Sequence, residues 1–239
     1  MTLAEILAGV FPQGHSVTVR DGLVTGGCPF AGDKTLHVVG VDGDTPLGVD
    51  GALVLSRAVL DAVRAGDKAP ILVVVDSDSQ RMSRRDELLG LNECLAHLAK
   101  ALLLADRSGH PTIGLIYGHS AAGAFIATAL ATRVLAALPG ANPSVMDLPS
   151  VARVTKLPLD KLQEMAKSTP VFAPGLDNMV ATGAVHVVLD PAKPLDGQIR
   201  DLIADLQPGD DRDRLGEERG GRPVARGIGE AVIAHAGRL

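Results

Sequence analysis

Pro70-ILVVVDSDSQRMSRRDELLGLNECLAHLAKALLLADRSGHPTIGLIYGHSAAGA-Phe125 decides the fold. It opens on a continuous apolar run, Pro70 to Val75, rich in β-branched residues. A run without alternation marks a strand buried on both faces of a parallel sheet. The polar turn Asp76-Ser-Asp-Ser79 ends it. A long helix is expected from Arg84 to Ala105, because Leu88, Leu91, Leu95, Leu98 and Leu102 form one stripe at helical spacing. Asp86 and Glu87 sit in its first turn, where the helix dipole favours acids. Pro111 to Tyr117 reads as a second buried strand, and Ser120 to Leu138 as the helix after it.

Working outward, Lys34 to Val41 is a strand and Gly51 to Arg64 a helix, with Ala52, Leu55, Val59 and Ala62 on its apolar face. Gly66 suits that helix's end. Thr2 to Ala8 is a short helix, with Thr2 as cap and Glu5 three residues on. Strand and helix alternate, which argues for α/β layers with parallel strands and right-handed crossovers. After Gly140 the pattern loosens. Short helices are expected at 147–155, 158–167, 195–206 and 229–237, and a strand at 184–189. The Gly-rich, charge-rich stretch 207–222 is expected to be an exposed loop. Residues 1–239 are read as a single domain.

Composition narrows the function. The net charge of −5 argues against a nucleic-acid groove, which needs clustered Lys and Arg. Aromatic residues are 2% of the chain, too few for base-stacking platforms. Cys28 and Cys94 are too far apart in sequence for a zinc motif or a disulfide framework. No apolar stretch reaches membrane-spanning length, and Met1 to Gly9 lacks the features of a signal peptide. A cytoplasmic protein without a membrane partner is expected.

The chemistry is expected at Tyr117-Gly-His-Ser-Ala-Ala-Gly-Ala124. A buried strand ends there, the chain turns through small residues, and a helix starts. The first amides of a helix have no partner within it and can stabilise a developing oxyanion. One reading is a nucleophile elbow, with Ser120 as the nucleophile of an α/β-type serine hydrolase and Asp190 and His235 following in order. Against it, Ala122 stands where the motif's last Gly belongs.

The other reading comes from the whole middle of the chain. A strand ending in Asp76, a polar loop, a long helix and a second strand running into the small-residue turn Gly118-His-Ser-Ala-Ala-Gly-Ala-Phe125 resemble the α part of acetyl-CoA carboxyltransferases. The short chain and the GHSAAGAF turn resemble in particular the γ subunits of biotin-independent malonate decarboxylases. The resemblance implies the crotonase-like carboxyltransferase fold, with β-β-α units and peripheral helices. It also implies decarboxylation of a malonyl thioester, in a site shared with a β-like carboxyltransferase subunit. The malonyl group would arrive on an acyl carrier protein bearing a CoA-derived arm, with no cofactor or metal held by this chain.

Carried onto these residues, the backbone amides of Ser120 and Ala121 are the expected oxyanion donors, and Gly118 and Gly123 match the turn's glycines. His119 is a candidate proton donor, or bonds a neighbouring strand. The Ser120 hydroxyl is expected to bond the malonyl carboxylate or to cap the helix. Tyr117, Asp76 and Arg81 are candidate pocket residues. Asp76 alternatively satisfies turn amides, and Arg81, with Arg84 and Arg85, is alternatively surface charge. A scaffold subunit without chemistry of its own is the remaining reading.

Overall fold

The protein is described by a computed structural model over residues 1–31, 34–207 and 209–237. Thr2 caps the first helix, α1 (Leu3–Val10), in a reciprocal capping box with Glu5. Two strands that the sequence reading passed over follow, β1 (Thr18–Arg20) and β2 (Leu23–Ala31). Then come β3 (Lys34–Val41), α2 (Val49–Ala65) and β4 (Ile71–Ser77).

The strands form a sheet in the order β1-β2-β3-β4-β5-β6-β8, in which β5 is Thr112–Ala121, β6 Val134–Ala137 and β8 Val187–Val188. A short β7 (Asn142–Ser144) pairs with the far end of β5. β1, β2 and β3 pair antiparallel, and all later pairs are parallel. The unbroken apolar run of β4 is explained by two covered faces. Ile71, Val73 and Val75 pack with α2 and with α4 (Leu91–Arg107), while Leu72 and Val74 face the cluster holding α1 and α9 (Leu195–Ala204). Phe125 is wholly buried in the first cluster. Truncating such a ring to Ala costs about 3–5 kcal/mol.

Four expectations are corrected. The helix expected from Arg84 to Ala105 is two helices, α3 (Arg84–Leu88) and α4. Gly90, at φ 79, breaks the path, and Leu88 of the expected stripe is exposed. The helix expected from Ser120 to Leu138 shrinks to α5 (Ala122–Ala127) and a 3-10 turn at Ala129–Ala131, before the chain extends into β6. A short apolar run reads alike for a buried helix and a buried strand. The strand expected at 184–189 is only the two residues of β8, because α8 (Leu176–Ala181) and its turn take up the approach.

The last correction concerns 207–222. This stretch holds α10 (Arg212–Glu218) strapped to the sheet edge. Arg212 is half-buried and donates to the carbonyls of Leu130, Thr132 and Arg133. Arg219 donates to those of Val180, Val185 and His186 at 2.8–2.9 Å. Gly216 and Gly221 lie against the backbone of Thr182 and Ala181, where a Cβ would collide. Charge here serves as a set of carbonyl caps, which composition cannot distinguish from a solvated loop. Helices α6 (Leu148–Thr155), α7 (Leu159–Ala166) and α11 (Ala225–Ala236) complete the chain.

Candidate active site at the ends of the central strands

The C-terminal ends of β3, β4 and β5 meet at one place. Residue by residue, the geometry follows from one carboxylate. Asp76, near the end of β4, accepts the His119 amide on Oδ1 at 2.9 Å and the Asp44 amide on Oδ2 at 3.2 Å. It therefore ties the loop after β3 to the turn at the end of β5. Gly118 makes room for it, since a Cβ there would run into the Asp76 carboxylate. Both oxygens of Asp76 are thus engaged with backbone amides.

The loop after β3 is stiff. Gly43 and Asp44 both have positive φ, 69° and 54°, as a type I′ turn requires of its two central residues. Thr45 Oγ1 donates to the Asp42 carbonyl at 2.7 Å, and Ser77 Oγ donates to the Thr45 carbonyl at 2.8 Å. This loop brings Asp44 Oδ1 to 3.3 Å from His119 Nδ1. Asp78 joins them, and one ligand atom from each of Asp44, Asp78 and His119 lies within 4.8 Å of the other two.

Tyr117 donates to Asp42 Oδ1 at 2.6 Å. Burial first, and then the Asp42 carboxylate, push its phenol above the ordinary tyrosine range. Tyr117 is accordingly a fixed, protonated pillar under the turn.

Ser120 lies inside β5, and Ala121 is at once the last residue of that strand and the residue before the first turn of α5. Ser120 pairs with Ser77 of β4 on one side and with Pro143 of β7 on the other, and Ala121 pairs with Ser144. The helix begins at Ala122, whose φ of 50° marks a kink between strand and helix. Its capping residue is Ala121, so the Ser120 hydroxyl is not a cap. Ser120 is fully buried and its Oγ has no hydrogen-bond partner. The hydrolase triad is therefore not assembled, since Ser120 Oγ bonds no base and His235 lies on the exposed α11. In the turn itself, the Gly123 amide donates to Gln80 Oε1 at 2.8 Å.

The structure thus brings together Tyr117, Gly118, His119, Ser120, Ala121, Gly123 and Asp76. Arg81 turns elsewhere. Its guanidinium lies beside Gly48, with Nε 3.9 Å from Asp86 Oδ2. Arg85 bridges Asp50 and Asp86, and holds the Asp50 carboxyl below its usual range. Asp42, Asp44 and Gln80 are residues of this candidate site that sequence reasoning missed, and Asp78 was read only as a turn acid. The signal for the first two was Asp42-Gly-Asp44 directly after a buried strand, a turn sequence in the place of a second site loop.

Known proteins resemble this chain over most of its length. The family model for the malonate decarboxylase gamma subunit matches residues 43–236. The malonyl-S-ACP:biotin-protein carboxyltransferase MADD of Malonomonas rubra is 29% identical over 198 residues, which are 74% of this chain and 68% of that protein. A Pseudomonas malonate decarboxylase hetero-tetramer, solved in complex with coenzyme A, contains a chain 25% identical to this one, covering 100% of this chain and 99% of that one with a TM-score of 0.77. The Pseudomonas MdcD-MdcE hetero-dimer gives 24% identity, 95% and 99% coverage, and a TM-score of 0.73. The architecture is that of the crotonase-like carboxyltransferases. With its two central site loops and most of its length inside the matched region, the chain belongs to the malonate decarboxylase gamma subunit family.

Proposed function

We propose that this chain forms one half of a site where a malonyl thioester loses its carboxyl group as carbon dioxide, leaving the acetyl thioester. A β-like carboxyltransferase subunit supplies the other half. The malonyl group is carried on a separate acyl carrier protein by a CoA-derived arm, and this chain binds no cofactor of its own. Heterodimeric and CoA-bound Pseudomonas relatives, and the malonyl-S-ACP relative of Malonomonas, support this reading.

The observation that carries it is the turn from Gly118 to Gly123. Breaking the bond from Cα to the carboxyl group leaves an electron pair that spreads onto the thioester oxygen as an enolate. Donors aimed at that oxygen lower the barrier, about 3 kcal/mol for each good one. The turn already holds an oxygen in this way, because Gln80 Oε1 sits on the Gly123 amide. A substrate oxygen replacing Gln80 Oε1 takes up the same bond, with the end of β5 at Ser120 and Ala121 forming the wall beside it. His119, partly open to solvent at the mouth, protonates the carbanion. Asp76 and Gly118 hold the two loops together.

The surface next to the turn supports a shared site. Val145 and Met146, directly after β7, and Val154 and Val171 further along the chain are exposed, and α6 buries none of its residues. The Malonomonas relative favours a second reading, in which the carboxyl group passes to a biotin protein.

The test is carbon dioxide release from carboxyl-labelled malonyl thioester, by this chain alone and co-purified with its β-like neighbour, with and without avidin. Release by the pair alone, indifferent to avidin, is expected. Release that avidin abolishes means carboxyl transfer. No turnover by the pair overturns the shared-site reading.

A further inference from the structure

We propose that Asp44 is a positioning residue that holds the proton on His119 Nδ1 and so directs Nε2 at the substrate carbon. The inference rests on the reading of His119 as the proton donor, and adds the residue that fixes which nitrogen donates.

The backbone is arranged for this pair. One carboxylate, Asp76, accepts the amides of both Asp44 and His119. The two side chains are thereby set on one side of a common anchor. Asp44 has a left-handed backbone, which Asp tolerates better than most residues because its short polar side chain bonds locally. Its Oδ1 comes to 3.3 Å from His119 Nδ1. The other acids around the imidazole are differently engaged. Asp76 is on the two amides, Asp42 accepts from Tyr117, and Asp78 approaches from the loop after β4 with its Oδ2 3.4 Å from Ser79 Oγ. Among the described residues, Asp44 is the carboxylate hydrogen-bonded to the ring.

A carboxylate on one imidazole nitrogen fixes the tautomer and the ring orientation, leaving the other nitrogen to do the chemistry. The bond between Cα and the carboxyl carbon breaks, carbon dioxide leaves, and the electron pair stays on the acetyl unit as an enolate. A C–H bond then forms at Cα as the Nε2–H bond of the imidazolium breaks, and that pair stays on Nε2. His119 is left neutral, with its remaining proton on Nδ1 facing Asp44. It regains the Nε2 proton from water, to which its side chain is 36% open. Without Asp44 the neutral ring is free to flip or to carry its proton on Nε2.

The experiment uses the chain co-purified with its β-like partner. Asp44→Asn is the first variant, because Asn suits the left-handed backbone as well as Asp does. We expect kcat to fall about 10- to 100-fold, at or below the roughly 100- to 10,000-fold of a lost general acid because the imidazole itself remains, with KM within about twofold, and Asp44→Glu to recover part of the loss. The seven histidines allow selective ¹⁵N labelling, and the His119 signal is expected to leave the Nδ1–H tautomer in Asp44→Asn. His119→Gln is the control. Loss in His119→Gln with normal kcat in Asp44→Asn overturns the role of Asp44 alone. A fall in kcat with an unchanged His119 tautomer overturns it as well. Full activity in His119→Gln overturns the proton-donor reading beneath it.

Discussion

Asp76 and Gly118 occupy complementary space: the Asp76 carboxylate fills the position a Cβ at residue 118 would need, and from there it holds the His119 and Asp44 amides. Gly118→Ala must therefore expel Asp76. Each charge-assisted bond so lost is worth about 1.5–3 kcal/mol. For a domain of this size, each kcal/mol lowers Tm by roughly 2–4 °C. We expect Gly118→Ala to lower Tm by several degrees and carbon dioxide release by the pair more than tenfold. Asp76→Ala should do the same. The double variant should be no worse than Asp76→Ala, since the clash is gone. Additive losses would show that the glycine is needed for something other than the carboxylate.

Ser120 gives the opposite expectation. Its hydroxyl is buried without a partner, and an unsatisfied buried polar group costs about 1–3 kcal/mol. Ser120→Ala removes that cost with little change of volume. Tm should hold or rise, fluorophosphonate probes should leave the wild type unlabelled, and turnover should stay within about threefold. A 100-fold loss in a folded Ser120→Ala would make the hydroxyl a participant in the chemistry.

The layout was readable where burial dictates residue type. Pro70 to Val75 and Lys34 to Val41 declare themselves because both faces of those strands are covered, leaving no polar alternation. The small-residue turn of the candidate site was also readable, because Gly118 and Gly123 stand where Asp76 and Gln80 press against the end of β5 and the start of α5. What was hidden depends on partners distant in sequence. Asp44 reads as an ordinary turn acid until β4 and β5 bring His119 to it, across 75 positions. Arg212 and Arg219 read as loop charge until the carbonyls of six residues are placed around them. The boundary between β5 and α5 was misplaced by two residues because alanine suits a buried strand end as readily as a first helical turn.

The donors of Asp44, Asp78 and His119 raise a question of metal. Their ligand atoms are close enough together for a divalent cation, but Asp44 and Asp78 are exposed, and hard cations take six or more oxygen-rich ligands. An imidazole that delivers protons needs its nitrogens free of metal. Dialysis of the active pair against a chelator is expected to leave carbon dioxide release unchanged. Loss of activity that manganese or magnesium restores would reassign the three residues to a cation.

The strap around α10 should make stability depend on pH. His186 Nδ1 accepts the Leu135 amide at 3.1 Å, so that nitrogen is unprotonated and Nε2–H faces Asp211 Oδ1 at 3.2 Å. Protonation would turn Nδ1 into a donor against the Leu135 N–H. Burial, followed by the nearby Arg212 charge, lowers the His186 pKa, and burial likewise lowers that of His37. The sign follows from linkage. Just below the ordinary imidazole value of about 6.5, the unfolded chain takes up protons that the folded one refuses. Stability is thus fully present above that value and is lost as pH falls below it. We expect Tm to drop on going from pH 7.5 to pH 5.5, more steeply than in His186→Asn, whose amide oxygen can still accept from Leu135 but cannot titrate. His37 should leave a residual slope in that variant. Arg219→Ala, which strips three carbonyls of their donor, should lower Tm at both pH values without changing the slope. Equal slopes in wild type and His186→Asn would show that the strap's histidine is not the group that titrates.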